Sequence, residues 1–266
     1  MFYWLHNFYP QSVLFKLGPI TVHWYGFFIV LGIVSALTIT LYFAKRFKID
    51  SEKIWDLGFY LVLFGIIGAR IYEIFLEFPY YSTHPAQIIK IWQGGLAIHG
   101  AIIAGIITLF IFIKKNKLAF WPLAAIITPG LALGQAIGRF GNWFNQELFG
   151  LPTNLPWGIP ISIENRPLEF INNQFFQPTF LYESLGSFII AILLFVLLYK
   201  RRDCLTNKSA MKITAIYLVL YSILRFSLEF IRIDSTPIFL GFRWPQVISL
   251  ILIAAAFLIY KKSYHA

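Results

Sequence analysis

Cysteine is nearly absent, since among 266 residues only Cys204 carries a thiol. A single thiol excludes an internal disulfide and a cysteine metal cluster, and Cys204 sits in a charged segment without a neighbouring histidine, so we read it as incidental. Charge is scarce as well: 13% of the residues are charged, with 12 Asp and Glu against 22 Lys and Arg. That composition excludes a large water-soluble core. The net charge of +10 would suit a nucleic acid if the basic residues made one face. They are scattered between apolar runs, so we expect no nucleic-acid partner and favour anionic lipid. No spacing of histidine and carboxylate suggests a metal, no internal repeat relates two halves, and neither a metal nor a cofactor is expected. The first residues lack a basic n-region and a cleavage site, so no removable signal peptide is expected.

What the chain has in quantity is hydrocarbon. Apolar residues reach 58%, gathered into runs long enough to cross about 30 Å of bilayer core. Seven spans are expected, at 20–43, 54–76, 94–113, 119–137, 179–199, 211–230 and 244–260. Lys45, Arg46, Lys48 and Lys53 follow the first; Lys114, Lys115 and Lys117 the third; Lys200, Arg201, Arg202, Lys208 and Lys212 surround the fifth-to-sixth turn; Lys261 and Lys262 follow the seventh. These are fourteen of the 22 basic residues, all on one side, which the positive-inside rule makes cytoplasmic. The expected fold is therefore an all-α polytopic membrane protein, residues 1–266 forming one integral membrane domain, with the N-terminus outside and the C-terminus inside. The proline-rich segment 151–178 is too long for a plain turn and is expected to form a small external cap.

Eight basic residues break the pattern. Lys16 and Lys90 read as interfacial, but Arg70, Arg139, Arg166, Arg225, Arg232 and Arg243 lie outside or in the outer parts of spans. Arginine at a helix centre costs about 2.5 to 3.5 kcal/mol, so such residues need partners or a task. Other polar residues share their depth. His99 stands some five residues into the third span, roughly 8 Å at the helical rise. Tyr25 is equally near the outer end of the first, Arg70 and Glu73 of the second, Tyr182 and Glu183 of the fifth. Tyr221, Arg225, Glu229 and Arg232 follow steps of four, four and three, along one face of the sixth. The cytoplasmic halves of these spans are nearly bare, which points to a polar chamber opening toward the outer leaflet.

Each feature also has a plainer reading. Arg225 and Glu229 suit a structural ion pair, Trp24, Trp143, Trp157 and Trp244 suit an interfacial belt, and Gly94, Gly95, Gly100 and Gly105 suit close helix packing. His6, His84 and His265 fall in exposed segments. The densest polar stretch, GRFGNWFNQELFG at 138–150, follows the apolar run 120–137. We read it as a wall of an anionic headgroup site, with Gly138, Gly141 and Gly150 permitting tight turns and close approach.

GGLAIHGAIIAG, GQAIGRFGNWFNQELFG, QPTFLYES and YSILRFSLEFIRIDS, in that order after HWYG at 23–26, resemble the bacterial phosphatidylglycerol:prolipoprotein diacylglyceryl transferases. The resemblance runs from about 19 to 250 and includes the specific pattern Gly-Arg-x-Gly-Asn-x-x-Asn-x-Glu. It implies seven transmembrane helices in the inner membrane and transfer of diacylglyceryl from phosphatidylglycerol to the cysteine thiol of a prolipoprotein lipobox peptide. The products would be a thioether and glycerol phosphate, as the first step of lipoprotein maturation. Tyr25 matches the family's tyrosine of the first helix and His99 its histidine of the third. Arg139, Asn142, Asn145, Glu147 and Gly150 match the signature, Tyr182 and Glu183 the Leu-Tyr-Glu of the fifth helix, and Tyr221, Arg225, Glu229 and Arg232 the polar face of the sixth. Three positions depart from the pattern: Gln177 stands where the family usually has histidine, Ala125 where an aspartate is common, and Trp143 where phenylalanine follows Gly-Asn. Gln177 retains hydrogen bonding but cannot act as a base.

The chemistry suits these residues. Attack by sulfur needs a thiolate, and a free cysteine has a pKa near 8.5, so a base such as His99 helps. Charge then builds on the departing phosphate, which the planar fork of arginine binds best; Arg139 and Arg225 take that role. Glu147 and Glu229 would hold the arginines, Asn142 and Asn145 would bind headgroup or backbone oxygens, and Tyr25 would orient a substrate. The rival readings are an inactive lipid-binding homologue and an anion transporter, the latter expecting midplane polar residues and related halves. The charge bias yields a test of topology: a cysteine introduced at Asn154 will react with an impermeant thiol reagent applied outside, whereas Cys204 will not. The reverse pattern overturns the orientation.

Overall fold

The computed structural model describes residues 3–18, 20–201 and 205–264; Pro19, Arg202, Cys204 and His265 lie outside them. Among the described residues there are nine α-helices: α1 Tyr3–Asn7, α2 Trp24–Arg46, α3 Ser51–Leu76, α4 Phe78–Thr83, α5 Ile98–Asn116, α6 Phe120–Phe144, α7 Thr179–Tyr199, α8 Asn207–Leu228 and α9 Trp244–Lys262. All but α1 and α4 are long and apolar enough to cross a membrane, seven spans in all. Three two-stranded antiparallel pairs, β1 Val13–Leu17 with β2 Ile20–His23, β3 Ile159–Pro160 with β4 Phe175–Phe176, and β5 Ile238–Phe239 with β6 Phe242–Arg243, and four short 3-10 turns complete the secondary structure of the described residues.

The helix ends correct the expected boundaries in three places that matter. First, α6 runs on to Phe144, so GRFGNWF is helical and Gly138 and Gly141 make no tight turn. The turn comes later, where Gln146 and Leu148 take φ of +52° and +56°. Second, α5 begins at Ile98 because Gly94 and Gly95 adopt φ of +94° and +72°, a region open to glycine. His99 is therefore in the first turn of α5 and not a turn and a half deep. Third, α8 ends at Leu228 with Glu229 as its C-cap, so Arg232 lies beyond the helix, on an antiparallel bridge to Gly150.

The chain forms two compact units, one of Met1–Phe43 with Ala124–Ala266 and the other of Ala44–Leu123. In the second, α3 packs on α5 where Gly68 and Gly100 meet; a Cβ on Gly100 would stand 2.2 Å from the Gly68 carbonyl oxygen. Gly100 thus serves helix packing, as its plainer reading held. Arg70 folds back onto the segment before α5. Its Nε donates to Ile88 O at 2.8 Å, Nη1 to Gly94 O and Gly95 O at 2.9 and 2.7 Å, and Nη2 to Gln87 O at 2.5 Å. Its guanidinium thus satisfies four backbone carbonyls of that segment.

In the first unit, α2 meets α6 through Gly32, Ala36, Gly130 and Gly134, small residues four apart on both helices. Pro129 inside α6 removes the N–H that would bond Ala125 O, and Thr128 Oγ1 donates to that oxygen at 2.9 Å instead. The far end of α6 is fixed by aromatic packing. Trp143 stacks on Phe180 of α7 at 5.0 Å with the rings 5° from parallel, inside a buried cluster with Phe149, Ile159, Ile161 and Phe176. Trp143 is therefore core and not belt. That cluster gives segment 151–178 its own apolar base, and Arg166 staples the segment, Nε to Ile161 O at 2.8 Å and Nη1 to Ile171 O at 3.0 Å.

These packings make opposite predictions for two glycines of one helix. Gly130→Ala gains up to about 1 kcal/mol of helix propensity, but its Cβ would sit 2.5 Å from the Ala36 carbonyl oxygen, and overpacking costs about 1 to 3 kcal/mol. Gly138→Ala meets only Ile29 Cδ1 at 3.9 Å. Thermal unfolding in detergent will show a lowered midpoint for the first and an equal or raised midpoint for the second.

Candidate active site

The ends of three helices and the segment after α8 bring an arginine and carboxylate network together within the first unit. Arg139, in the penultimate turn of α6, donates from Nη2 to Glu183 Oε1 of α7 and from Nη1 to Asn142 Oδ1 at 3.1 Å. Asn142 in turn donates from Nδ2 to Glu147 Oε1 at 2.6 Å. Glu183 turns its other oxygen to Arg232 Nη1, 3.7 Å away. On the next turn of chain, Arg225 Nη1 meets Glu229 Oε2 at 2.5 Å, and Arg232 Nε donates to Asp234 Oδ1 at 2.7 Å.

Mutual pairing lets these charges tolerate one another, and the macrodipole adds to it at Arg225, which lies in the last turn of α8; Arg139 and Glu183 lie further inside α6 and α7 and answer each other. Glu229, a carboxylate capping a helix C-terminus, is set against the dipole and fully buried, and three guanidiniums offset this: Arg225, Arg232 and Arg243. Arg243 Nε lies 3.1 Å from Glu229 Oε1 but directs its proton to Thr236 Oγ1 at 2.9 Å. That carboxylate oxygen is thus neutralised without receiving a hydrogen bond among the described residues. The remaining Arg243 donors go to backbone, Nη1 to Glu229 O and Arg232 O at 3.1 and 2.5 Å and Nη2 to Asp234 O. Burial works against the charge of Arg232, but the hydrogen bond and charge of Asp234, with Glu183 and Glu229, outweigh it and raise its pKa further.

Four guanidiniums thus face three carboxylates directly, and the four are not equally occupied. An arginine has five N–H donors. Among the described residues Arg139 commits two and Arg225 one, and their side chains keep 23% and 14% exposure. Arg243 commits four. The four guanidiniums thus outnumber the three carboxylates they meet directly and, among the described residues, Arg139 and Arg225 keep open donors.

The other expected residues divide between neighbours and supports. Tyr25, in the first turn of α2, lies on Gly141, whose Cβ would come 2.9 Å from the Tyr25 ring; here glycine is required for close approach. Gly150 is required too, its N donating to Gln177 O at 2.9 Å while Ile231 O stands 2.8 Å from its virtual Cβ. Tyr182 OH accepts from Trp157 Nε1 at 2.8 Å. Tyr221 stacks on Tyr217 at 6.0 Å. Asn145 lines a polar cavity with Tyr9, Ser12, Gln146 and Glu164. Glu147, expected to hold an arginine, is exposed and reaches Arg139 only through Asn142; Glu183 is the direct partner. His99 belongs to the other unit, its ring tilted 5.9 Å from that of Tyr72.

Asp234 is the member that sequence reasoning missed. Its position two residues after Arg232 was visible, yet helical spacing drew attention only to partners three or four apart. Arg243 was marked as out of place but not assigned. As for the departures, Ala125 is fully buried fourteen residues before Arg139, about 21 Å along the helix, and Gln177 pairs through its backbone with Gly150 and Leu151.

Comparison with known proteins bears on this geometry. A family described as prolipoprotein diacylglyceryl transferase matches residues 12–261. The chain is 43% identical to the phosphatidylglycerol–prolipoprotein diacylglyceryl transferase of Nostoc sp., over 92% of this chain and 86% of the relative. A protein of the same name from Trichormus variabilis is 43% identical over 91% and 85%, and one from Synechocystis sp. 42% identical over 92% and 86%.

The network predicts unequal costs for its carboxylates. Glu229→Gln removes the fully buried counter-charge shared by Arg225, Arg232 and Arg243 and will cost about 3 to 5 kcal/mol. Asp234→Asn, where the side chain is 24% exposed, will cost about 1 kcal/mol or less. Unfolding midpoints of the two variants read the difference directly.

Proposed function

The chain belongs to the prolipoprotein diacylglyceryl transferase family, and from that premise we propose that its arginine cluster transfers the diacylglyceryl group of phosphatidylglycerol to a prolipoprotein cysteine. One observation carries the assignment of the site. Among the described residues Arg139 and Arg225 hold unused guanidinium donors in a mostly buried cluster where four guanidiniums face three carboxylates directly, which suits a phosphate diester.

The reaction balances simply. The cysteine sulfur, as thiolate, attacks the glycerol carbon; the carbon–sulfur bond forms as the carbon–oxygen bond to phosphate breaks, and the electron pair leaves on the phosphate oxygen of glycerol phosphate. Arg139 and Arg225 stabilise that developing charge. Glu183 and Glu229 aim the two guanidiniums and limit their freedom, so little reorganisation is needed as charge moves. Asn142 and Asn145 offer amides to headgroup or peptide oxygens, and Tyr25, Tyr182 and Tyr221 border the substrates with rings and hydroxyls. His99 is our proton acceptor on the family resemblance alone, since it lies in the unit Ala44–Leu123.

Further parts of the reading rest on sequence. The peptide acceptor is a lipobox, the membrane is the bacterial inner membrane, and the arginine cluster opens to the outer leaflet beneath segment 151–178 as a cap. Seven apolar helices support a multi-pass membrane protein. An inactive homologue is not favoured: the departures at Ala125 and Gln177 remove no donor from the arginine network. A transporter is not favoured either, because the relatives are named as transferases.

Purified protein supplied with labelled phosphatidylglycerol and a lipobox peptide will transfer the label to the peptide thiol, and absence of transfer refutes the proposal. In the same assay Arg139→Lys, which keeps charge but loses the fork, will lose about tenfold or more in turnover. His99→Gln will bind phosphatidylglycerol but transfer about 10² to 10⁴-fold more slowly, with part of the loss recovered as pH approaches the thiol's own pKa. A deficit indifferent to pH assigns proton acceptance elsewhere.

A further inference from the structure

The opposite end of the first unit carries a second lipid-shaped feature. Between α8 and α9 runs a cavity of about 320 Å³, lined by Ala215, Val219 and Leu220 from one helix and Ile253, Phe257 and Tyr260 from the other. Its lining offers hydrocarbon and aromatic surface, and helical backbone has no free groups to add mid-span. Phe257 and Tyr260 at its edges are 67% and 39% exposed, so whatever fills it lies alongside the helices.

The groove ends in charge. Lys212 Nζ lies 4.6 Å from the centre of the Tyr264 ring and 5.6 Å from that of Tyr260, and Lys208 Nζ 5.8 Å from Tyr264. Tyr260 joins the two parts, since it lines the groove and also faces the ammonium. Tyr264 OH donates to Tyr260 OH at 2.9 Å, which leaves the Tyr260 proton to be offered onward. Lys261 and Lys262 lie at the same end of α9, and neither α8 nor α9 contains an Asp or Glu to answer these four lysines; Asp203 lies outside the described residues. The sequence carries the same pattern: Lys208, Lys212, Ile216 and Leu220 are four apart along one face of α8, and Ile253, Phe257 and Tyr260 follow one face of α9, with Tyr264 in the turn just beyond its end.

We propose that this groove binds an anionic phospholipid of the leaflet opposite the arginine cluster, one acyl chain between α8 and α9 and the phosphate at Lys208, Lys212 and Tyr260. Charge complementarity selects the occupant: a neutral annular lipid would fill the groove but leave the ammoniums without an anion, and a free phosphate would answer the ammoniums but leave the groove empty. The lipid is a resident and not the transferase substrate, because α8 separates this headgroup site from Arg225 by most of its length. Lys212 and Arg225 are thirteen residues apart, about 20 Å.

Native mass spectrometry of the full chain, released from phosphatidylcholine nanodiscs doped with phosphatidylserine, tests the site. One phosphatidylserine will be retained in preference to phosphatidylcholine. Lys208→Gln with Lys212→Gln will weaken that retention roughly fivefold per lysine and about thirtyfold together, while the double change to arginine will keep it, so loss of fold is not the cause. Val219→Trp, which fills the groove with the charges intact, will displace the lipid, and glycerophosphoserine will not compete for it. Arg139→Lys will leave retention unchanged even where transfer fails, which separates this site from the transferase site. Retention indifferent to the glutamine and tryptophan changes, retention lost in Arg139→Lys, or competition by glycerophosphoserine as effective as lipid overturns the inference.

Discussion

Glu183 is the group on which the site depends. Its carboxylate is 2% exposed and joins Arg139 of α6 to Arg232 of the segment after α8, so three stretches of chain distant in sequence share one buried anion. Removing a carboxylate of this kind from water costs several kcal/mol, and only close, correctly aimed cations return it. The arrangement of the surrounding helices follows from that requirement. The stacked Trp143 and Phe180 and Ser184 Oγ donating to Ala136 O at 2.8 Å hold α6 and α7 at the separation the pair needs, and the small residues of α2 and α6 seat α2 against α6.

The same requirement explains the positive surplus. Were every guanidinium matched donor for donor by carboxylates, the cluster would be a structural ion network with no affinity for an anion. Instead Arg243 and Arg232 are tied to Asp234, Glu229 and backbone carbonyls, and this rigid pair supports Glu229, which aims the less occupied Arg225. Support and function are divided among residues of one type. In the proposed reaction a phosphate arriving at Arg139 and Arg225 would meet donors already oriented in a poorly solvated site, where an ionic hydrogen bond is strongest.

In the roles proposed above, the two ends of α8 use different cations for different work. Arg225 stands at one end, where a planar fork matches phosphate oxygens bidentately; Lys208 and Lys212 stand at the other, where compact ammoniums on long stems lie over tyrosine rings. Fixed geometry is needed where a bond is to break at one carbon. A mobile point charge suffices where a headgroup has only to be held.

Much of this was legible in the sequence because it is local. Hydrophobic run length determined the seven spans, with Thr179–Tyr199 reproduced to the residue, and the crowding of Arg139, Glu183, Arg225 and Glu229 toward like ends of their spans was readable from position along each run. What the sequence did not determine was pairing. Six arginines looked equally anomalous, yet Arg70 and Arg166 close loops by binding carbonyls while Arg139, Arg225, Arg232 and Arg243 form the network. Glu147 and Glu183 were both available to Arg139, and Trp143 read as an interfacial residue until packing put it in the core. Helical periodicity says which residues share a face of one helix. Which carboxylate lies within 4 Å of which guanidinium depends on the distance and rotation between helices and on chain that leaves the helix, as at Arg232 and Asp234, and only the tertiary structure decided those.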